Sequence, residues 1–144
     1  MLSFNSVIIR HANKESIMAP VAIIVVLALL QYIYFSLQVG KARGTYEVKA
    51  PAVSGHPVFE RHYRVQMNTL EQLIVFIPAL FMFAYYGSAL VAAALGAVYL
   101  VGRFLFARSY VSDPAKRSLG FMLSFLPTVV LLVGSLVQAV VALG

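Results

Sequence analysis

The chain contains no cysteine. It can therefore build no disulfide framework, no thiolate metal site and no cysteine nucleophile, and any thiol chemistry needs a thiol brought from outside. Charge is also scarce. Charged residues make up 11% of the 144 positions, against about a quarter in a soluble domain. Apolar residues make up 61%, and the mean hydropathy is +0.87. That balance implies an integral, multi-pass membrane protein built as one domain. Phosphate-cradling and hydrolytic motifs are missing too: "GKARG" is not a Walker loop, and no Ser-His-Asp set is recognisable. His11, His56 and His62 have no metal-ligand spacing, so no metal is expected. The net charge is +6, which in a membrane chain reads as topology, with no nucleic-acid partner expected.

What is present is four apolar segments: Pro20–Val39, Phe59–Tyr86, Ser88–Ala107 and Leu119–Leu143. Each approaches the roughly 20 residues that cross a bilayer core. A backbone in lipid must satisfy its own hydrogen bonds, so the expected fold is an all-α, four-transmembrane-helix bundle over residues 19–144. Pro78 and Pro127 lie inside segments two and four and should bend them. Gly87 gives a tight turn between segments two and three. Ala89, Ala92, Ala93, Gly96 and Ala97 make segment three the one that lets neighbours approach closely. Residues 40–58 and 108–118 are polar loops on one side of the membrane. They carry Lys41, Arg43, Lys49, Arg108, Lys116 and Arg117, so the positive-inside rule places them in the cytoplasm. Residues 1–17 have neither the apolar core nor the cleavage site of a signal peptide, and Met18 directly precedes the first segment. This tail is expected to be disordered or untranslated.

The stretch "FERHYRVQMNTLEQLIVF" (59–76) takes charge into the apolar region. Relative to Arg61, helical geometry places Arg64 at about −60°, Asn68 at about −20° and Glu71 at about −80°. Gln66 falls nearly opposite, at about +140°. A membrane helix with polar groups on two sides must meet protein or water on both, which suggests a subunit interface. In segment three, Tyr99, Arg103, Phe106 and Tyr110 share a face. Arg103 lies well inside an apolar run, where an arginine costs about 2.5–3.5 kcal/mol on insertion scales, so it needs a partner. Glu71 is the candidate.

Each of these residues also has a plainer reading. Arg61, Arg108 and Lys116 read as anchors snorkelling to headgroups, and Arg117 could be another. Tyr99 and Tyr110 read as packing aromatics. Glu71 with Arg103 reads equally as a structural ion pair or as part of a ligand site. The set Arg64, Asn68 and Glu71 is harder to explain without a ligand, because intramembrane polar clusters mark ligand paths.

"FERHYRVQMNTLEQ" resembles the motif of the MAPEG superfamily, the membrane-associated proteins in eicosanoid and glutathione metabolism. Its core, E-R-x-x-R-x-x-x-N-x-x-E, is met by Glu60, Arg61, Arg64, Asn68 and Glu71. "YFSLQVGKAR" (34–43), "VYLVGR" (98–103) and "KRSLGF" (116–121) extend the likeness. The resemblance implies a homotrimer with glutathione bound between subunits near the cytoplasmic face. It implies that Arg64, Asn68, Glu71 and Tyr110 hold glutathione and that Arg43 and Gln66 reach the adjacent site. Arg117 matches the arginine assigned to stabilising the thiolate, and Arg103 and Tyr99 would stand behind the site. The physics suits that ligand: guanidinium forks fit its carboxylates, a glutamate fits its ammonium, and a cation near sulfur favours thiolate. Gln72 and Phe106 stand where the leukotriene-forming branch has tyrosines, and Gly44 replaces one of its paired arginines, so the acceptor is left open. The implied activity is membrane glutathione transfer to lipophilic electrophiles, or reduction of lipid hydroperoxides, with membrane lipids around the protein. A non-catalytic lipid-binding scaffold and a small channel lined by Glu71 and Arg103 are the rival readings.

Overall fold

Each apolar run becomes a helix long and apolar enough to cross a membrane. In the computed structural model, which describes residues 4–144 and side chains from Ser16 onward, α1 is Phe4–Thr45 and α2 is Pro57–Tyr86. Next come α3 (Ala89–Ser112), a 3-10 turn (Pro114–Arg117) and α4 (Ser118–Val141). The tail expected over residues 1–17 falls almost wholly outside the described side chains.

The helices run further than hydropathy suggests, and the reason lies in their ends. The expected loop 40–58 loses its first six residues to α1, and the expected loop 108–118 loses its first five to α3. A helix terminus leaves carbonyls without intrahelical donors. At the end of α3 the Arg61 guanidinium supplies them, donating from Nη1 to Val111 O at 3.1 Å and Ser112 O at 3.3 Å. Beyond α1, Arg43 Nη1 donates to Val48 O at 3.1 Å and Ala52 O at 2.9 Å, which folds the loop back onto the helix. The start of α2 is fixed by His56, whose Nδ1 accepts from the Val58 amide and whose ring stacks on Tyr46 at 3.8 Å. That cap is a structural use of a histidine, at the N-terminal position where side-chain acceptors are favoured.

The bundle is organised around α2 and α3. Helix α1 packs against both and α4 packs against both, while α1 and α4 hardly meet. Arg61, near the start of α2, reaches the end of α3, so the two basic loops lie at one end of the bundle. Gln138, near the end of α4, lies against Gly87 at the other. Of the four spans α3 is the most enclosed, with Ala89, Ala92, Ala93 and Gly96 all buried, although Ala97 is exposed. Pro78 and Pro127 sit inside α2 and α4, which continue through both. The core is apolar and stacked: the Phe76 and Tyr99 rings lie 3.7 Å apart between α2 and α3. Large apolar side chains on the outside, such as Ile23, Leu37, Ile74 and Leu136, make the lipid-compatible surface.

Helices α3 and α4 touch backbone to backbone. A Cβ on Gly102 would lie 2.6 Å from both Leu123 C and Ser124 N, and one on Gly120 would meet the Phe106 backbone. Such contacts, with no side chain to yield, give close van der Waals packing where lipid supplies no hydrophobic drive. Gly40, on α1, has nothing within 4 Å of such a Cβ. Alanine should therefore have opposite effects at two helical glycines. Gly120→Ala should lower the unfolding midpoint in detergent by an amount equivalent to about 1–3 kcal/mol of overpacking. Gly40→Ala should leave it unchanged or raise it by up to about 1 kcal/mol. Equal shifts in thermal unfolding would show that the α3–α4 approach can relax.

Candidate functional site

The polar end of the bundle is built on the first turns of α2. Arg64 is exposed there and lines a hollow of about 400 Å³ with Arg61, Glu60, Tyr63, Ser54 and Tyr110. One wall comes from α3, where the Phe106 and Tyr110 rings lie 5.3 Å apart. Because Arg61 is spent on the carbonyls ending α3, Arg64 is the guanidinium of this pair left facing outward.

Deeper by about a turn, a chain of hydrogen bonds links α2 to α3. Arg103 is fully buried. Its Nη1 donates to Asn68 Oδ1 at 3.0 Å and its Nη2 to Thr69 Oγ1 at 2.7 Å. The guanidinium also lies over the Phe106 ring, 4.3 Å from its centroid. Asn68 Nδ2 in turn donates to Glu71 Oε2 at 3.4 Å. The expected direct pair between Glu71 and Arg103 is therefore absent, and Asn68 stands between them. The physical reason is position on the helix. Asn68 and Thr69 flank the direction of Arg103, whereas Glu71 points away and is exposed. The result is an oriented amide: with its carbonyl oxygen held by a cation, Asn68 presents its NH2 group toward the carboxylate.

The remaining candidates go elsewhere. Gln66 Nε2 donates to Ser36 Oγ at 2.9 Å, so its side of α2 faces α1. Within one chain, this contact already accounts for the second polar face of α2. Arg43 holds its own loop and lies 4.7 Å over the Phe59 ring. Arg117 is exposed and donates to Pro114 O at 2.9 Å, within its own turn and outside the hollow. Tyr99 is buried on Phe76, and among the described residues neither its hydroxyl nor the Gln72 carboxamide has a partner. So the fold brings together Arg64 with Tyr110, and Asn68 with Glu71 and Arg103. It leaves Arg43, Gln66 and Arg117 apart from these two groups.

Three contributors escape a reading by residue type. Thr69 takes one arm of Arg103 while its hydroxyl donates to Val65 O at 2.7 Å. Ser36 receives Gln66, and Arg61 serves a helix end. A signal existed for Thr69 alone, as a hydroxyl adjacent to Asn68 in a membrane helix facing an arginine. Chemically, the site offers an exposed cation, an oriented amide and a carboxylate at one end of an apolar bundle. It suits a small zwitterion with surplus negative charge and supplies no nucleophile of its own.

The model of the MAPEG family matches residues 21–137. A Synechocystis protein named as uncharacterised is 47% identical over 126 residues, 88% of this chain and 91% of that one. Human microsomal glutathione S-transferase 2 is 43% identical over 113 residues, covering 78% and 75%. Bovine leukotriene C4 synthase is 35% identical over 99 residues, covering 69% and 66%.

The buried arginine gives an asymmetric prediction. Arg103→Met removes the charge together with its desolvation, and Thr69 and Asn68 keep their bonds to Val65 and Glu71. It should cost less than about 1.5 kcal/mol, as shape-conserving exchanges do. Asn68→Leu leaves the guanidinium in place without its carbonyl acceptor and should cost about 2 kcal/mol or more. Thermal unfolding of both variants in one detergent checks the order. A larger loss for Arg103→Met would mean that the cation itself holds the bundle together.

Proposed function

The chain belongs to the MAPEG family, and from that premise we propose that it is a membrane glutathione transferase. The observation that supports this most is the stripe at the loop end: Arg64 exposed beside Tyr110, with Asn68 oriented between Arg103 and Glu71. Arg64 takes a glutathione carboxylate, Glu71 its ammonium, and Asn68 a peptide group. In a homotrimer, Arg43 turns from the Val48 and Ala52 carbonyls, and Gln66 from Ser36, to the glutathione of the next chain. The basic loops lie on the cytoplasmic side, where glutathione is supplied.

With no cysteine in the chain, the sulfur comes from glutathione. Arg117, exposed at the start of α4, turns from Pro114 O to the sulfur and lowers its pKa. The thiol proton passes to solvent, and the thiolate pair forms a bond to an electrophilic carbon. The displaced pair leaves with a leaving group or is protonated after addition. With a lipid hydroperoxide, two glutathiones are oxidised to the disulfide while the peroxide becomes alcohol and water. The acceptor enters from the bilayer, past the exposed apolar faces of the helices. One observation favours a second reading, a lipid-binding member without catalysis: the Arg117 guanidinium is bonded to its own turn and lies outside the hollow.

Equilibrium binding of glutathione to purified protein in detergent tests the first reading. Arg64→Ala should reduce affinity at least about tenfold, the cost of removing one partner of a charge-assisted bond. Unchanged affinity in the folded variant would remove Arg64 from the site. Chemistry is tested separately through the thiolate absorbance of bound glutathione against pH. Arg117→Ala should keep affinity within a few-fold, raise the apparent thiol pKa toward that of the free tripeptide and cut turnover. Arg117→Lys should recover part of the effect, since it keeps the charge without the planar fork. Wild-type protein that binds glutathione without any thiolate signal would favour the non-catalytic reading.

A further inference from the structure

Two hollows away from the stripe share Arg108 and Ser112. The first, about 320 Å³, opens where α1 and α3 part near the loop end, with Val65 of α2 as its floor. Its walls are apolar, chiefly Tyr34, Phe35 and Phe104. The second, about 270 Å³, lies between the end of α3 and the start of α4 and carries Arg108, Ser112 and Lys116. Phe104 lies one helical turn, about 5–6 Å, deeper than Arg108, and Tyr34 about 16 Å from the loop end of α1. The pair is thus graded, basic toward the loop end and apolar deeper in the bundle.

The charge at the mouth is available. Arg108 is exposed and, among the described residues, makes no side-chain hydrogen bond or ion pair. Among the described residues, Lys116 is held only by Asp113, at 3.7 Å and exposed, a contact of the kind worth little in water. The carbonyls ending α3 would repel an anion, but those of Val111 and Ser112 are occupied by Arg61. On the helical wheel, the mean direction of His62 and Val65 at the groove lies about 140° from that of Arg64 and Glu71. The groove therefore opens on a different side of the bundle from the glutathione stripe.

We propose that the two hollows form one site for an anionic phospholipid of the surrounding bilayer. Its phosphate sits at Arg108 and Lys116, and one acyl chain runs along Phe104, Val65 and Tyr34. A cation without a partner among the described residues, placed toward the loop end beside an apolar groove, matches the two ends of such a lipid. The site does not depend on glutathione binding.

The test uses delipidated full-length protein in non-ionic detergent, titrated with dioleoylphosphatidylglycerol or dioleoylphosphatidylcholine and read by native mass spectrometry. One phosphatidylglycerol per chain should bind saturably, and more tightly than phosphatidylcholine. Arg108→Ala should weaken phosphatidylglycerol about fivefold, the effect of one cation at an anionic surface. Phe104→Ala should weaken both lipids, because it removes a wall of the groove. Lys41→Ala, which removes an exposed cation outside both hollows, should change neither. Equal binding of the two lipids, or the same loss in Lys41→Ala as in Arg108→Ala, would overturn the site in favour of general surface charge. Displacement of phosphatidylglycerol by 1-chloro-2,4-dinitrobenzene would overturn it by making the groove an acceptor cleft. Failure of the lipid to bind the intact oligomer would overturn it by showing that a second copy covers the groove.

Discussion

A guanidinium fully buried among membrane helices is the constraint around which this structure is arranged. Arg103 cannot reach water, and an arginine at that depth is unfavourable by about 2.5–3.5 kcal/mol on insertion scales. Its two arms meet oxygens of α2 at the level of Asn68 and Thr69, which ties the height of α3 to that of α2. The Phe106 ring below the guanidinium adds a cation–π contact and places Tyr110 one turn further toward the loops. Once α2 and α3 are set at this height, Arg64, Tyr110, Asn68 and Glu71 come to one end of the bundle. A membrane protein could satisfy an arginine in simpler ways, and retaining one here ties the geometry of the polar end to the core.

The second arginine of the pattern has a different task. Arg61 belongs to the same motif as Arg64, yet it closes the end of α3 and leaves Arg64 alone to face outward. Two neighbouring guanidinium groups thus divide into one that shapes the site and one that is open to a ligand. The α3–α4 contact supports the same division from behind. Gly102 and Gly120 let the two backbones meet, and the short 3-10 turn between the helices is held at the loop end of the bundle. Arg117 at the end of that turn is near the polar end without being packed into it.

The sequence by itself determined the class of the protein. Four apolar runs, scarce charge and a glycine turn dictate four membrane helices, since a backbone in lipid has no other way to satisfy itself. The absence of cysteine settled that a thiol must be external, and the spacing of Arg64, Asn68 and Glu71 settled that they share one side of α2. The motif was legible because helical periodicity converts spacing into direction without further information. Partnership between helices was not legible in the same way. Glu71 was the natural mate for Arg103 by charge, but charge carries no height or azimuth, and the fold inserted Asn68 between them. Helix ends were misplaced for a related reason: hydropathy marks where lipid stops, while Arg61 and distant carbonyls decide where α3 stops. The roles of Thr69, Ser36 and Arg61 were settled only by the tertiary structure, because each depends on which atom of another helix lies within hydrogen-bond reach, and the one-dimensional pattern does not encode that distance.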